Sequence, residues 1–163
     1  MKNKYLLKRL VISLIFFLSL TPMLEAQSYG NAYSVDGDIS EWDLSNDYFA
    51  HMFRAGKTDK EVESYLYLHY DCTNAVMYAL VLTKDGIPGE KTSDDAWITI
   101  GSNSNKVVKG SSGDDGTAPD FQWYNSGYLG NSNYVRGYEA SFPISEGNYQ
   151  IMAHLNVFDD GAS

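Results

Sequence analysis

The sequence predicts an all-β fold: a two-sheet antiparallel β-sandwich, jelly-roll-like, after an N-terminal signal helix. Three observations predict it. Helix signals are nearly absent after residue 26, while Tyr, Val, Ile, Thr and Trp gather in short runs split by Gly, Asp, Asn and Ser, the punctuation of a β domain. Several of these runs alternate in polarity with period two, as half-buried strands require. Residues 27–163 have the length of one domain, with no repeat and no internal boundary.

The first element is the signal. Lys2, Lys4, Lys8 and Arg9 precede an apolar run from Leu10 to Leu20, then Thr21-Pro22 and Leu24-Glu25-Ala26. A basic stretch, a short apolar stretch and a small residue at the cut define a cleavable secretory signal over 1–26. The run is well short of the roughly 20 apolar residues that span a bilayer, so no membrane insertion is expected after cleavage. No cysteine stands just after it, which argues against a lipid anchor. The expected location is secreted, extracellular or at the cell surface.

Loss of residues 1–26 removes four of the 12 basic residues and one of the 21 acidic ones, Glu25. That leaves 8 against 20 and a formal charge of −12. Such a field repels nucleic acid and attracts cations; simple solubility also accounts for it. Cys72 is the sole cysteine, so no intrachain disulfide can form. In an exported chain it suggests a partner elsewhere or a free thiol, with a buried, unpaired cysteine as the alternative.

The strands follow in order. In Tyr65 to Tyr70, the residues Tyr65, Tyr67 and His69 alternate with Leu66, Leu68 and Tyr70. A second run, Ala75 to Thr83, begins after Asp71 to Asn74, and turn chemistry at Asp71, Thr73 and Asn74 makes the two a hairpin. A third strand is expected at Ala96 to Gly101, with a short partner at Lys106 to Lys109 across the turn Ser102 to Asn105. A fourth, Gly137 to Ile144, puts Tyr138, Ala140, Phe142 and Ile144 on one face. A fifth, Tyr149 to Phe158, sets Tyr149, Ile151, Ala153, Leu155 and Val157 against Gln150, Met152, His154 and Asn156. The sequence stops in turn residues, Asp159 to Ser163, straight after that strand, and a longer gene product is expected.

Between Gly110 and Arg136 lies a long stretch of Gly, Ser, Asn and Asp seeded with aromatics. Loops of this length inside a domain are commonly functional. Trp123, Tyr124, Tyr128 and Tyr134, with Asn125, are the candidate ligand-binding residues: aromatic faces stack on sugar rings, and short polar side chains meet hydroxyls. The same rings could form the loop's own small core or a contact with another surface protein, since Trp and Tyr dominate interface hot spots.

Asp94, Asp95, Asp114 and Asp115 are the candidate metal ligands. Calcium takes six to eight oxygens, many from carboxylates, so a structural calcium competes here with ordinary solvated turns; no cofactor is required. No nucleophile elbow, zinc-protease run or phosphate loop occurs, and no pair among the many carboxylates is singled out for glycoside hydrolysis. A noncatalytic role is expected.

Val35-Asp36-Gly37-Asp38-Ile39-Ser40-Glu41-Trp42 resembles the opening of DOMON-like sandwich domains, the group that includes family 9 carbohydrate-binding modules. Leu82-Thr83-Lys84-Asp85, then Ser93-Asp94-Asp95-Ala96-Trp97-Ile98-Thr99-Ile100, then Gly137-Tyr138-Glu139-Ala140-Ser141-Phe142-Pro143-Ile144 are similar to later segments of that group, in the same order. The resemblance covers roughly residues 33–160 and implies a sandwich that binds sugars, haem or other ligands, or serves as a noncatalytic part of a surface protein. It does not by itself fix function. Haem would need axial Met or His, from His51, Met52, His69, Met77, Met152 and His154. Met152 and His154 fall on the outer face of one strand rather than in a pocket, which disfavours haem. Core packing is the expected role of Trp42 and also of Trp97. A carbohydrate-binding module is the leading expectation, and a structural or adhesive surface protein that uses the 121–134 loop is the alternative.

Overall fold

The computed structural model describes residues 32–54, 61–92, 96–101, 106–107, 115–145 and 147–158. The expected signal, residues 1–26, lies outside the described residues. Within them the chain is built from ten strands: β1 Tyr48–Phe53, β2 Val62–Asp71, β3 Val76–Thr83, β4 Gly89–Glu90, β5 Ala96–Ile100, β6 Lys106–Val107, β7 Asp120–Tyr124, β8 Tyr134–Val135, β9 Gly137–Pro143 and β10 Ile151–Leu155. All pairings are antiparallel.

The largest sheet has the order β1-β2-β3-β9-β7. Its centre is the β2–β3 hairpin, paired from Ser64↔Thr83 to Asp71↔Val76. Asp71 shapes the turn: Oδ1 accepts the Thr73 and Asn74 amides at 2.8 and 3.1 Å, and Oδ2 accepts Asn74 Nδ2 at 2.6 Å. These bonds hold its carboxyl below the usual carboxylate value. Beside the hairpin, β9 pairs with β3 through Ala79↔Ala140 and Leu82↔Gly137. A Cβ at Gly137 would sit 1.8 Å from the Val81 carbonyl oxygen, so only glycine admits this close approach of backbones.

A second sheet has the order β10-β5-β6, and β4 pairs with β8. Of the short partner expected for β5 at 106–109, residues 106–107 form β6 and pair Ile98↔Val107, while 108–109 lie outside the described residues. β10 occupies the middle of the expected fifth strand, and its alternation is realised: Leu155 is buried and Met152 exposed. β1 was not anticipated, and β7 runs through the stretch read as a loop.

Period two decides what is buried. Leu66, Ala79, Val81, Phe121, Trp123, Tyr138, Ala140 and Phe142 from one face of the five-stranded sheet form a single apolar cluster with Ala96, Ile98 and Ile100 of β5, Val107 of β6 and Leu155 of β10. Rings dominate it, with Phe121 stacked on Tyr138 at 4.9 Å and edge-on to Trp123 at 5.1 Å. Such pairs add about 0.5–1.5 kcal/mol each beyond burial.

The opposite face carries a second cluster, Trp42, Tyr67, Leu80 and Leu82, with Tyr33, Ile39, Tyr65, Tyr78 and Tyr124 packed against it. The segment 33–47 therefore lies over this face as a strap. Gly37 makes the bend at φ +84°, and a Cβ there would come within 2.9 Å of the Trp123 carbonyl oxygen. Glu139 fastens the strap: Oε1 accepts the Trp42 indole N–H and Oε2 the Gly37 amide, both at 2.8 Å. The Asp-Gly turn and the Trp are thus joined to β9 through one buried carboxyl.

Candidate ligand-binding surface

Trp123, Tyr124, Asn125, Tyr128 and Tyr134 do not gather on one surface, although Phe121 packs edge-on against Trp123. Successive strand residues point to opposite faces, so Trp123 enters the first cluster, 7% exposed, while Tyr124 packs against the second. Asn125 is an exposed turn residue at φ +50°. Tyr128 opens the short 3₁₀ turn Tyr128–Gly130. Its hydroxyl accepts the Gly86 amide at 3.2 Å and Arg136 Nη1 at 3.4 Å, and the guanidinium lies 5.1 Å from its ring centre. Arg136 in turn pairs with Asp85 at 2.7 Å. Tyr134, in β8, has its ring 4.8 Å from that of Phe158. Each residue has a separate neighbour, and the burial of Trp123 leaves little of its ring to meet a ligand.

Of the candidate metal ligands, Asp94, Asp95 and Asp114 lie outside the described residues, as do Asp159 and Asp160. Asp115 is exposed, and its Oδ1 accepts the Thr117 amide at 2.9 Å. Among the described residues no group of three or more His, Cys, Asp or Glu side chains is placed to hold a metal ion. Cys72 is a free, exposed thiol at the tip of the β2–β3 hairpin.

A different aromatic surface emerges on β1 and β2. Tyr48 is opposite Tyr67, Ala50 opposite Leu66 and His51 opposite Tyr65, so β1 carries one extra residue, Phe49, between Tyr48 and Ala50. This bulge resets the alternation. Without it Tyr48 would share a face with Ala50; with it, Tyr48 and His51 share the outer face with Tyr65 and Tyr67. Ring centres are 5.5 Å apart for Tyr48 and His51, 6.2 Å for His51 and Phe53, 5.6 Å for His51 and Tyr65, and 6.0 Å for Tyr48 and Tyr67. Tyr48 is 41% exposed, Phe53 49% and the bulge residue Phe49 58%. A contiguous exposed patch of large rings marks a binding surface far better than scattered ones do.

One end of this face is closed by the strap. Tyr33 stacks on His69 with centres 3.6 Å apart and planes 11° apart. Asp47 accepts the Tyr33 hydroxyl at 2.6 Å and lies 3.1 Å from His69 Nδ1. Burial and the Asp47 carboxylate push the Tyr33 hydroxyl well above the usual tyrosine value, so it stays a proton donor to Asp47.

A cavity of about 470 Å³ lies between the β1–β2 end and β10, on the side of the first apolar cluster, to which its walls Met52, Ala153, Leu155 and Val157 belong. Phe53, Arg54, Glu63, Ser64, His154 and Asn156 are among its walls. Arg54 Nε pairs with Glu63 Oε1 at 2.8 Å, Asn156 Nδ2 donates to Glu90, and His154 stacks on Trp97 at 5.4 Å. Clefts of this size with convergent polar groups are the usual form of small-ligand sites.

Fold and surface together define an all-β protein of antiparallel sheets with an aromatic row exposed on one sheet. No family model, no curated protein and no solved structure matches the chain. The row escaped the sequence reading because the bulge hides its periodicity. The signal that could have found it is the crowding of Tyr48, Phe49, His51 and Phe53 into six residues.

Proposed function

We propose that this chain is a noncatalytic carbohydrate-binding module of a secreted or cell-surface protein, and that glycan lies on the row Tyr48, His51, Phe53 and Tyr65. The observation that carries the reading is the exposure of Tyr48, His51 and Phe53 beside the half-buried Tyr65, rings that offer apolar faces next to tyrosine hydroxyls and an imidazole. A two-sheet sandwich of DOMON-like type is the fold we assign. The apolar cluster shared by the five-stranded and three-stranded sheets supports it, as does the joining of Gly37 and Trp42 to Glu139, which ties two of the resembling segments together. Stacking on such a row needs no cofactor.

A second reading has its own observation. Phe49 at 58% and Leu44 at 43% exposure carry no polar group, which suits contact with another surface protein as an adhesive element. A glycan array probed with the intact protein and with Phe53→Ala separates the two. Binding by the intact protein that is lost in the variant supports the glycan reading. Absence of binding on every glycan, or binding unchanged by Phe53→Ala, overturns it.

A further inference from the structure

Ser64 is 2% exposed, and its hydroxyl has no hydrogen-bond partner among the described residues. It lies on β2 opposite Met52, on the face of Leu66 and Leu68, which pack in the first apolar cluster. That face lines the cavity between the β1–β2 end and β10. Buried polar side chains are ordinarily paired, and the space where a partner for Ser64 can stand is this cavity. We infer that the cavity is a second binding site, for a small uncharged molecule with an apolar body and a hydroxyl head. It is independent of the glycan reading, since Tyr48, His51 and Tyr65 lie on the other face of β1 and β2.

An irregularity in β2 makes the polar end. Met52 is opposite Ser64 and Phe53 opposite Val62, so Glu63 is an extra residue. Strict alternation would set Glu63 and Ser64 on opposite faces, whereas the bulge lets both line the cavity. Glu63 Oε1 holds Arg54 Nε at 2.8 Å. A carboxylate has about four lone-pair sites, so Glu63 can accept from one more donor, and the Ser64 hydroxyl can donate. A ligand hydroxyl answers both, giving its proton to Glu63 and taking one from Ser64. The Arg54–Glu63 pair is already neutral, so a charged head would lose its hydration with no counter-charge left over.

The apolar end is made by Ala153, Leu155 and Val157, alternate residues of β10 and its continuation, together with Met52. All four pack in the first apolar cluster. Their side chains offer no hydrogen bond, so a sugar, hydroxylated around its ring, would strand hydroxyls against them. A volume of about 470 Å³ is that of about 15 liquid waters, room for an apolar body of about ten carbons beside its hydroxyl.

Two probe shapes with three heads each test this: 1-octanol, octanoate and octylammonium, and 2-naphthol, 2-naphthoate and 2-naphthylmethylammonium. Methyl glucoside serves as the sugar. Each is titrated into the full-length chain while the Met52 methyl and Tyr48 ring resonances are followed by NMR. At least one alcohol should bind about tenfold tighter than its charged counterparts, the worth of about one well-made buried hydrogen bond, and should move Met52 while Tyr48 stays unmoved. Ser64→Ala should weaken that alcohol about fivefold. Ala153→Leu, which puts a branched side chain into the cavity, should abolish its binding with native circular dichroism. Failure of both alcohols to bind, equal or tighter binding of a charged counterpart or of methyl glucoside, shifts at Tyr48 in place of Met52, or indifference to Ser64→Ala overturns the inference.

Discussion

Glu139 accepts the indole N–H of Trp42 at 2.8 Å although 97 residues separate them, and its second oxygen holds the Gly37 amide. One carboxyl thus joins the strap to β9, an interior strand of the sheet. Burial raises this carboxyl from the usual 4.5 to about 7, against the two hydrogen bonds, which lower it, and with the Glu41 and Asp36 carboxylates adding to the rise.

That shift has a sign for stability. The folded state holds its proton more tightly than the unfolded one, so the contribution is full below about pH 4.5 and is lost as pH rises toward about 7. In that window stability falls by as much as about 1.4 kcal/mol per pH unit from this group. Urea unfolding at pH 4.5, 5.5 and 7, compared with Glu139→Gln, isolates it. The native protein should lose stability relative to the variant as pH rises, and parallel curves would contradict the assignment.

Trp123 and Tyr128 were grouped by sequence but differ in the structure. Trp123→Ala empties part of the apolar cluster and should cost about 3–5 kcal/mol. Phe53→Ala, at an exposed position, should stay within about 0.5 kcal/mol. Thermal unfolding of the two variants checks the contrast; a large loss for Phe53→Ala would mean that its ring is structural.

At Gly137 the backbone of β9 touches that of β3, with no room for a methyl group beside the Val81 carbonyl oxygen. Gly137→Ala should therefore split β3 from β9 and abolish the cooperative unfolding transition. A folded Gly137→Ala protein with native circular dichroism would show that the two strands lie farther apart.

The hairpin at 62–83 and the faces of β9 and β10 were legible because their polarity alternates without interruption and their turns carry Asp, Asn and Gly. β7 was not. Its residues Phe121 and Trp123 are held by a partner distant in sequence, with Trp123 opposite Tyr138, and the polar residues around them imitate a loop. The row on β1 was hidden for another reason: the extra residue Phe49 shifts the phase, so Tyr48 and His51 share a face that strict alternation would deny them. A sequence displays its aromatics, but which side each ring takes depends on pairing.

The central claim is that glycan meets the β1–β2 row and not the 121–134 stretch. Its most direct measurement is the movement of aromatic side-chain NMR resonances as the best-bound glycan of the array is titrated in. The account predicts shifts at Tyr48, His51, Phe53 and Tyr65, with Tyr128 and Tyr134 unmoved. Shifts at Tyr128 and Tyr134 with the β1 row silent would contradict it.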